Sequence, residues 1–536
     1  MTRVLVVGWD GATWSVAGPL CEAGRLPTLD ALRMGGAEGI LRSVPNMNSA
    51  PAWSTVATGR NPGGHGIFYF DEPVRGKYRR RVVNASDRTG PTLWKLASEA
   101  GKRVVVVNVP ISYPAEAVNG FMVAGLDTPS KELPGFTYPR DLSRRFPELL
   151  ESYVIEPGAP SLVRAGKIDE AREKLIEIVE GWVSVTERLM EEDDWDLVFI
   201  VFTSSDTAQH FFWTEEGRSV IERVYEVQDA ATGRLVQRAR ATDPGVHVLV
   251  IADHGGEANS RGPEFMPIWL EDQGLQARTT PALTSRILSS GFNLLDRTLT
   301  REQKLSLARW FPKLREQAES EARTVGLDWR STTAYSDGRR DDVLVNLEGR
   351  EPQGQVPVSK YEAFLGDLKR RVEGIRELDS GEPVVAAALT RAEAYPGPLA
   401  DLAPDLTIHW NLGRAFRGFR CDTRPAEERM REVAATPPIA PGGHHPDGLF
   451  VANGPYVRQA LVRAGLEDIT PTVLALLGVP LPEGLDGRPL DLLESIEVQR
   501  SARSATAGGA DESETAAYTP EQEEAVRKRL EDLGYL

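Results

Sequence analysis

Cysteine is almost missing from this chain: Cys21 and Cys421 are the two in 536 residues, and neither stands in a paired metal-binding spacing. A disulfide framework is thereby excluded, and a reducing compartment is the simplest expectation. Long apolar runs are missing as well. No stretch approaches the roughly 20 residues that a membrane-spanning helix requires. The opening MTRVLVVGWDG reads as a buried strand, without the longer apolar region and small-residue cleavage site of a signal peptide. The expected location is cytoplasmic, with no membrane partner. Positive charge is the third shortage. Against 78 acidic residues stand 62 Lys and Arg, a net charge of −16, and no long basic run occurs. Polymeric DNA or RNA needs a basic track that releases counterions, so a nucleic-acid partner is not expected. A small phosphate ester held by metals remains compatible, because bound cations reverse the local field inside an acidic protein.

What is present is an ordinary globular composition, with 41% hydrophobic and 26% charged residues, enough for a sizeable core. Short apolar runs at residues 4–7, 104–107, 197–202, 246–251 and 449–452 are bounded by turn residues. Amphipathic stretches such as 171–190 separate them. This alternation predicts an α/β fold, a mostly parallel central sheet with helices on both faces. Ligands of such sheets bind outside the carboxyl ends of the strands. Asp10, Asp206 and Asp253 each fall just past such an end, which would gather them on one rim.

Two regions break the alternation. Residues 276–335 read as a helical insertion or cap carrying Trp310 and Phe311. Residues 501–517 turn to Ser, Ala, Gly, Thr and acid, the composition of a flexible linker. Beyond it, Thr519-Pro520 with Gln522 forms a helix start with a cap, a first-turn proline and a box partner, and Gly534 ends that helix after Leu533. The expected organisation is a catalytic core in two parts, 1–275 and 336–495, around the cap, followed by a linker and helix over 496–536. Tyr535-Leu536 would dock on the core or on a second subunit, so a homo-oligomer stays open, and residues 501–536 are expected to be dispensable for the chemistry.

The residues that carry chemistry are few. In HVLVIADHGGE, Asp253 and His254 end a buried strand and run into glycines that let other groups approach. Asp206 and His210 follow LVFIVF at i, i+4 spacing, so a helix starting near 203–205 puts both on one face, in reach of one cation. The alternative is a capping Asp206 and a His210 packed beside Phe211, Phe212 and Trp213. His444 and His445 stand in PPIAPGGHHPDGLF, a Gly- and Pro-rich loop before a strand, and either one suits a ligand. Asp10 in VVGWDGA ends a strand before Gly11 and suits a turn equally well. Ser49 lies at or near the N-cap of a short helix over 52–58, a common place for serine. The same helix start favours phosphate oxygens, and a serine hydroxyl becomes nucleophilic when a base or cation lowers its pKa.

The order strand–Asp10, Ser49 at a helix start, Asp206-x-x-x-His210, Asp253-His254 and a late glycine-flanked histidine resembles the alkaline phosphatase superfamily. More closely it is similar to the type I phosphodiesterase/nucleotide pyrophosphatase branch, with its bacterial and archaeal phosphohydrolase/phosphomutase-like members. PAWSTVATGRNPGGHGIFYF is similar to that branch's nucleophile segment, and LEDITPTVLALLGVPLPEGLDGRPL to the end of the catalytic domain. GREPQGQV and APDLTIHW resemble segments of the bacterial subgroup. The resemblance spans residues 3–490. It implies one divalent metal on Asp206, His210 and His444, and a second on Asp10, Asp253, His254 and the Ser49 oxygen. Zinc is the usual ion of the branch, with manganese as the alternative. His444 rather than His445 matches the family's Gly-x-His position.

Two departures are informative. Many nucleotide pyrophosphatases have Thr at the nucleophile position and Asn three residues later; here stand Ser49 and Ala52, so another donor, a backbone N–H or Asn48, must hold the phosphoryl oxygen. The sulfatase motif C/S-x-P-x-R begins in Ser49-Ala50-Pro51-Ala52, yet Trp53 replaces its arginine, and Ser49 reads as unmodified. The expected function is hydrolysis of a small phosphate mono- or diester through a covalent phospho-Ser49 intermediate and two divalent metals. A phosphomutase of the same superfamily and a non-catalytic metal-binding homologue are the alternatives. Arg60, Arg339, Arg340 and Arg350 are candidates for gripping the phosphate or its leaving group.

Overall fold

The computed structural model describes residues 2–156, 158–259, 265–279, 326–336, 340, 342–377, 380–411, 418–420, 430–432, 440–494, 496–504 and 517–536. The expected cap therefore lies largely outside the described residues: 280–325, with Trp310 and Phe311, and most of the expected linker, 505–516, are not among them.

Nine strands make the central sheet: β1 (Val4–Trp9), β2 (Ala37–Arg42), β3 (Val104–Val107), β4 (Gly120–Val123), β5 (Thr137–Tyr138), β6 (Leu197–Phe202), β7 (His247–Ile251), β8 (Asp447–Asn453) and β9 (Leu461–Gly465). Their spatial order is β9-β2-β8-β7-β1-β6-β3-β4-β5. Five neighbouring pairs are parallel. Only β5 and β8 run against the rest. The mostly parallel sheet read from the apolar runs is thus present, with the late 447–453 segment inserted antiparallel between β7 and β2.

Both faces are covered. Side chains three apart on one strand point to opposite faces. Phe199 of β6 accordingly meets the edges of Trp53 and Trp94, whereas Phe202 stacks on Trp182. Trp53 belongs to α1 (Ser49–Thr58) and Trp182 to α2 (Ile168–Glu192), so α1 and α2 lie on opposite sides. The stripe Leu175, Ile178, Val179, Trp182 and Leu189 forms the buried face of α2. Then follow α3 (Ser204–Phe212), directly after β6, and α4 (Arg218–Thr242). β1, β6 and β7 are buried along their whole length, and each buried Val, Leu or Ile contributes about 1.5–3 kcal/mol.

Part of the chain expected to continue the core builds something else. Strands Ala334–Tyr335, Asp342–Val345, Val385–Thr390 and Leu406–Trp410 form a four-stranded antiparallel sheet. With helix Tyr361–Glu373 it encloses its own apolar cluster around Trp269, Leu365 and Ile408. Such short, half-buried strands carry little periodic signal, so sequence alone merged them with the core. Arg350 is consumed there, its guanidinium on the buried Asp405 at 2.8 and 2.6 Å.

The C-terminal helix α5 (Pro520–Leu533) has the expected start. Thr519 Oγ1 accepts from Gln522 N at 3.3 Å, and Gln522 Oε1 accepts from Thr519 N at 2.9 Å. Gly534 follows it. The helix lies on the core of the same chain: Val526, Leu530, Leu533, Tyr535 and Leu536 are buried in one cluster with Ala50 and Phe70. Among the described residues no helix is long and apolar enough to cross a membrane.

The histidine that opens β7 makes a stability prediction. Burial holds His247 neutral, its pKa lowered to about 4, while Nε2 accepts from Tyr456 N at 3.3 Å and the ring stacks on Tyr456. Between pH 6.5 and about 4 the unfolded chain therefore binds a proton that the folded chain refuses, and stability falls as pH falls. In urea titrations across that window, His247→Gln, which keeps an acceptor, is expected to remove about 1–3 kcal/mol of the acid-side loss. An unchanged pH slope would contradict the assignment.

Candidate active site

β1 lies between β6 and β7 in register, with Trp9 beside Phe202 and Gly8 beside Ile251. The three strands end together, so the next residues converge. Asp10 N continues the ladder to Phe202 O at 2.9 Å. Gly11 turns the chain away with φ of 71°, a backbone open to glycine at little cost. Its N–H donates to Asp253 Oδ1 at 3.1 Å, and its carbonyl accepts from Gln209 Nε2 at 2.7 Å. Asp10, Asp253 and His254 are wholly buried, and Asp206, on the first turn of α3, nearly so.

Ser49 is the first residue of α1, one place inside the cap. Asn48 caps the helix, its Oδ1 accepting from Ala50 N at 3.2 Å. Ser49 Oγ stands 3.3 Å from Asp10 Oδ1 and 3.2 Å from His254 Nε2, and is fully buried. One turn on, Trp53 Nε1 donates to Asp10 Oδ2 at 2.9 Å. The residue read as a missing sulfatase arginine thus anchors an aspartate. A buried indole N–H needs an acceptor, and its i+4 spacing from Ser49 was the available signal.

The loop expected around His444 is a short ribbon. Gly442–His445 pairs antiparallel with Gly255–Ala258, placing His444 opposite Gly256. A Cβ on Gly442 would collide with the backbone carbonyl of Gln209, so the ribbon lies against α3 there only as glycine. Alternation separates the two histidines. His444 Nε2 comes within 2.9 Å of His210 Nε2 and 3.6 Å of Asp206 Oδ1, and its ring centroid is 4.0 Å from that of His254. His445 Nδ1 instead accepts from Asp447 N at 3.0 Å. Of the two alternatives, His444 is the one in the cluster.

All seven residues singled out in the sequence, Asp10, Ser49, Asp206, His210, Asp253, His254 and His444, are therefore brought together. The donor set suits cations. His254 Nδ1 lies 2.9 Å from Gly255 O, and His210 Nδ1 lies 3.3 Å from Gly442 O. Carbonyls accept only, so each Nδ1 carries the proton and each Nε2 turns a lone pair inward. Those lone pairs face carboxylates: His254 Nε2 is 3.6 Å from Asp10 Oδ1 and 3.5 Å from Asp253 Oδ2, and His210 Nε2 is 3.4 Å from Asp206 Oδ1. Asp253 Oδ2 is buried with no hydrogen-bond partner among the described residues. Burial, then the charges of Asp253 and Asp206, hold the Asp10 carboxyl well above its ordinary range, against hydrogen bonds from Trp53 and Ser49. Acceptors aimed at acceptors in a dry site are costly unless a cation lies between them. Two groups meet the spacing for one: Asp206, His254 and His444, and Asp10, Asp253 and His254.

Sequence reasoning missed Tyr535, whose hydroxyl donates to Asp206 Oδ2 at 2.6 Å. The apolar spacing of α5 signalled docking but not where. Of the arginine candidates, Arg340 contacts Asp71 at 2.5 Å, Arg350 serves Asp405, and Arg339 lies outside the described residues. Arg60 is 4% exposed, and its Nη1 has no hydrogen-bond partner among the described residues.

A family model described as type I phosphodiesterase/nucleotide pyrophosphatase matches residues 4–418. His444 lies beyond that match, so its place rests on the fold. Among solved structures the chain is similar to phosphonoacetate hydrolase from Sinorhizobium meliloti 1021 in complex with phosphonoacetate, at 15% identity over 89% of this chain and 95% of that one, with a TM-score of 0.52. It is also similar to wild-type alkaline phosphatase PafA, at 12% identity over 92% of this chain and 99% of that one, with a TM-score of 0.53. No curated protein matches the sequence significantly. At such identities the structural likeness speaks for the fold, which is alkaline-phosphatase-like, and the family match for the lineage, which is metal-dependent. The chain belongs to the type I phosphodiesterase/nucleotide pyrophosphatase family, hydrolases of phosphoric esters within the alkaline phosphatase superfamily.

Proposed function

We propose that this protein hydrolyses a small phosphate mono- or diester through a covalent phospho-Ser49 intermediate, assisted by two divalent cations. The observation that carries the reading is the Ser49 hydroxyl, at a helix start, between Asp10 Oδ1 and the inward lone pair of His254 Nε2. Asp206, His210 and His444 would hold one cation; Asp10, Asp253, His254 and the Ser49 oxygen would hold the other. Three imidazoles and three carboxylates suit zinc, with manganese as the alternative. When bound, such cations lower the pKa of a hydroxyl and draw charge from phosphoryl oxygens.

The protein's own groups account for the rest. Ser49 Oγ–H has two acceptors for its proton, Asp10 Oδ1 and His254 Nε2. Trp53 fixes Asp10, and the Gly255 carbonyl fixes the His254 tautomer, so both acceptors are preorganised. The oxygen attacks phosphorus in line and expels the leaving group, and water then cleaves the phosphoseryl ester. The positive end of α1 favours the phosphoryl oxygens throughout. The Ala50 and Ala52 N–H groups are engaged by Asn48, whose side chain would donate to substrate through Nδ2.

The test pairs bound-metal analysis with hydrolysis of a chromogenic aryl phosphate monoester and the matching diester. Expected are two equivalents of divalent metal, turnover lost on chelation, and turnover restored by zinc or manganese. The preferred ester then separates phosphatase from phosphodiesterase. Full turnover by thoroughly metal-depleted protein would overturn the reading. The reducing-compartment and small-ester expectations fit a cytoplasmic enzyme without a macromolecular substrate, which fractionation of cells producing the full chain would check.

A further inference from the structure

The chain closes on its own metal-ligand cluster from an unexpected direction. Tyr535 lies 329 positions after Asp206, yet its hydroxyl donates to Asp206 Oδ2 at 2.6 Å in a buried setting. The other oxygen of that carboxylate, Oδ1, is the one facing the imidazoles, 3.4 Å from His210 Nε2 and 3.6 Å from His444 Nε2. The two oxygens are thus divided between two tasks.

The phenol is held in place rather than laid on the surface. Its ring packs against Phe70 with centroids 4.8 Å apart and stands edge-on to His210 at 6.2 Å. Leu533 and Leu536 on either side are buried. Upstream, Arg529 Nη1 donates to Leu126 O at 2.7 Å, and Tyr518 OH donates to Asp127 O at 2.7 Å while its ring stacks on Tyr113. A phenol is ordinarily protonated at neutral pH and a carboxylate offers only acceptor oxygens, so the Tyr535 hydroxyl is the donor.

We infer that Tyr535 is a positioning residue: its hydroxyl holds Asp206 Oδ2 so that Oδ1 is presented to the cation shared with His210 and His444. The inference rests on the metal-site reading under Proposed function. A carboxylate ligand with one oxygen tied by a neutral donor loses its freedom to rotate before the cation arrives. Partners of this kind are worth about 10–100-fold in metal affinity. On this reading residues 501–536, expected to be dispensable for the chemistry, would include a residue that supports a metal ligand.

The experiment measures zinc affinity by competition with a chromophoric chelator, using full-length wild type, Tyr535→Phe and Val526→Ala. Tyr535→Phe keeps the ring and removes only the donor. Val526, fully buried on α5, serves as the packing control. The expected result is one equivalent bound about 10–100-fold more weakly by Tyr535→Phe, the other equivalent unchanged. Val526→Ala is expected to lower the melting temperature with affinity within about threefold of wild type. Tyr535→Phe binding as tightly as wild type would overturn the inference and leave the metal site standing. Equal weakening in Val526→Ala would also overturn it, assigning the effect to packing. A wild type that holds no divalent metal would instead bring down the underlying site.

Discussion

Ser49→Ala is expected to lower turnover by about 10⁴-fold or more while both equivalents of metal remain bound. The size follows from the mechanism: without the hydroxyl there is no oxygen to accept the phosphoryl group, and what survives is binding and electrostatic assistance alone. The fold has little to lose. The helix cap is Asn48, not Ser49, so the start of α1 is untouched. Ser49 has Ala50 and Ala52 for neighbours, and alanine is the better helix former. Asp10, Asp253 and His254 keep their places for the cation. Two readouts decide it: steady-state hydrolysis of the aryl ester, and acid-quenched recovery of a phosphorylated protein during turnover by wild type. Near-normal turnover by the variant would remove the covalent step and leave a water-based mechanism on the same cluster.

Asp253→Asn should separate stability from function more sharply than any other change. Asparagine can still accept from Gly11 N, as Asp253 Oδ1 does, so the turn is preserved. What disappears is a negative charge whose Oδ2 is buried without a hydrogen-bond partner among the described residues and which opposes Asp10 in a dry site. Metal-free Asp253→Asn is therefore expected to be more stable than metal-free wild type, by about 1–3 kcal/mol. Adding zinc should reverse the ranking, because wild type gains binding free energy that the variant cannot. Turnover should drop by at least about 10³-fold with the loss of that cation. Thermal unfolding with and without metal checks the crossing. A variant less stable than wild type in both states would mean that Asp253 is a structural carboxylate, not a ligand.

The extent to which sequence disclosed this site has physical causes. Asp10, Asp206 and Asp253 were legible because parallel strands are unbroken apolar runs, and the first acidic residue after each run marks the rim. His210 was legible because i+4 spacing on a helix is a rigid relation. His444 was half legible: its glycines marked a close approach, but the pairing with 255–258 that separates it from His445 spans almost 190 residues. Trp53 and Tyr535 act through one hydrogen bond each, to Asp10 and Asp206, and a single distant contact leaves no periodic trace. The accessory sheet was hidden for a related reason, since its strands of two to six residues alternate too briefly to stand out.

The docking of α5 also bears on how the protein comes into being. Chains emerge at about 5–20 residues per second, and what has emerged begins to fold at once. Asp10, Ser49, Asp206 and Asp253 all leave the ribosome early, His444 much later, and Tyr535 later still. For many seconds the nascent chain carries an incomplete acidic pocket that neither the ribbon at 442–445 nor the tyrosine has closed. Assembly of the centre thus waits on residues made long after its first carboxylates. A ribosome stalled before residue 535 would expose a nascent chain whose Asp206 still lacks its phenol partner.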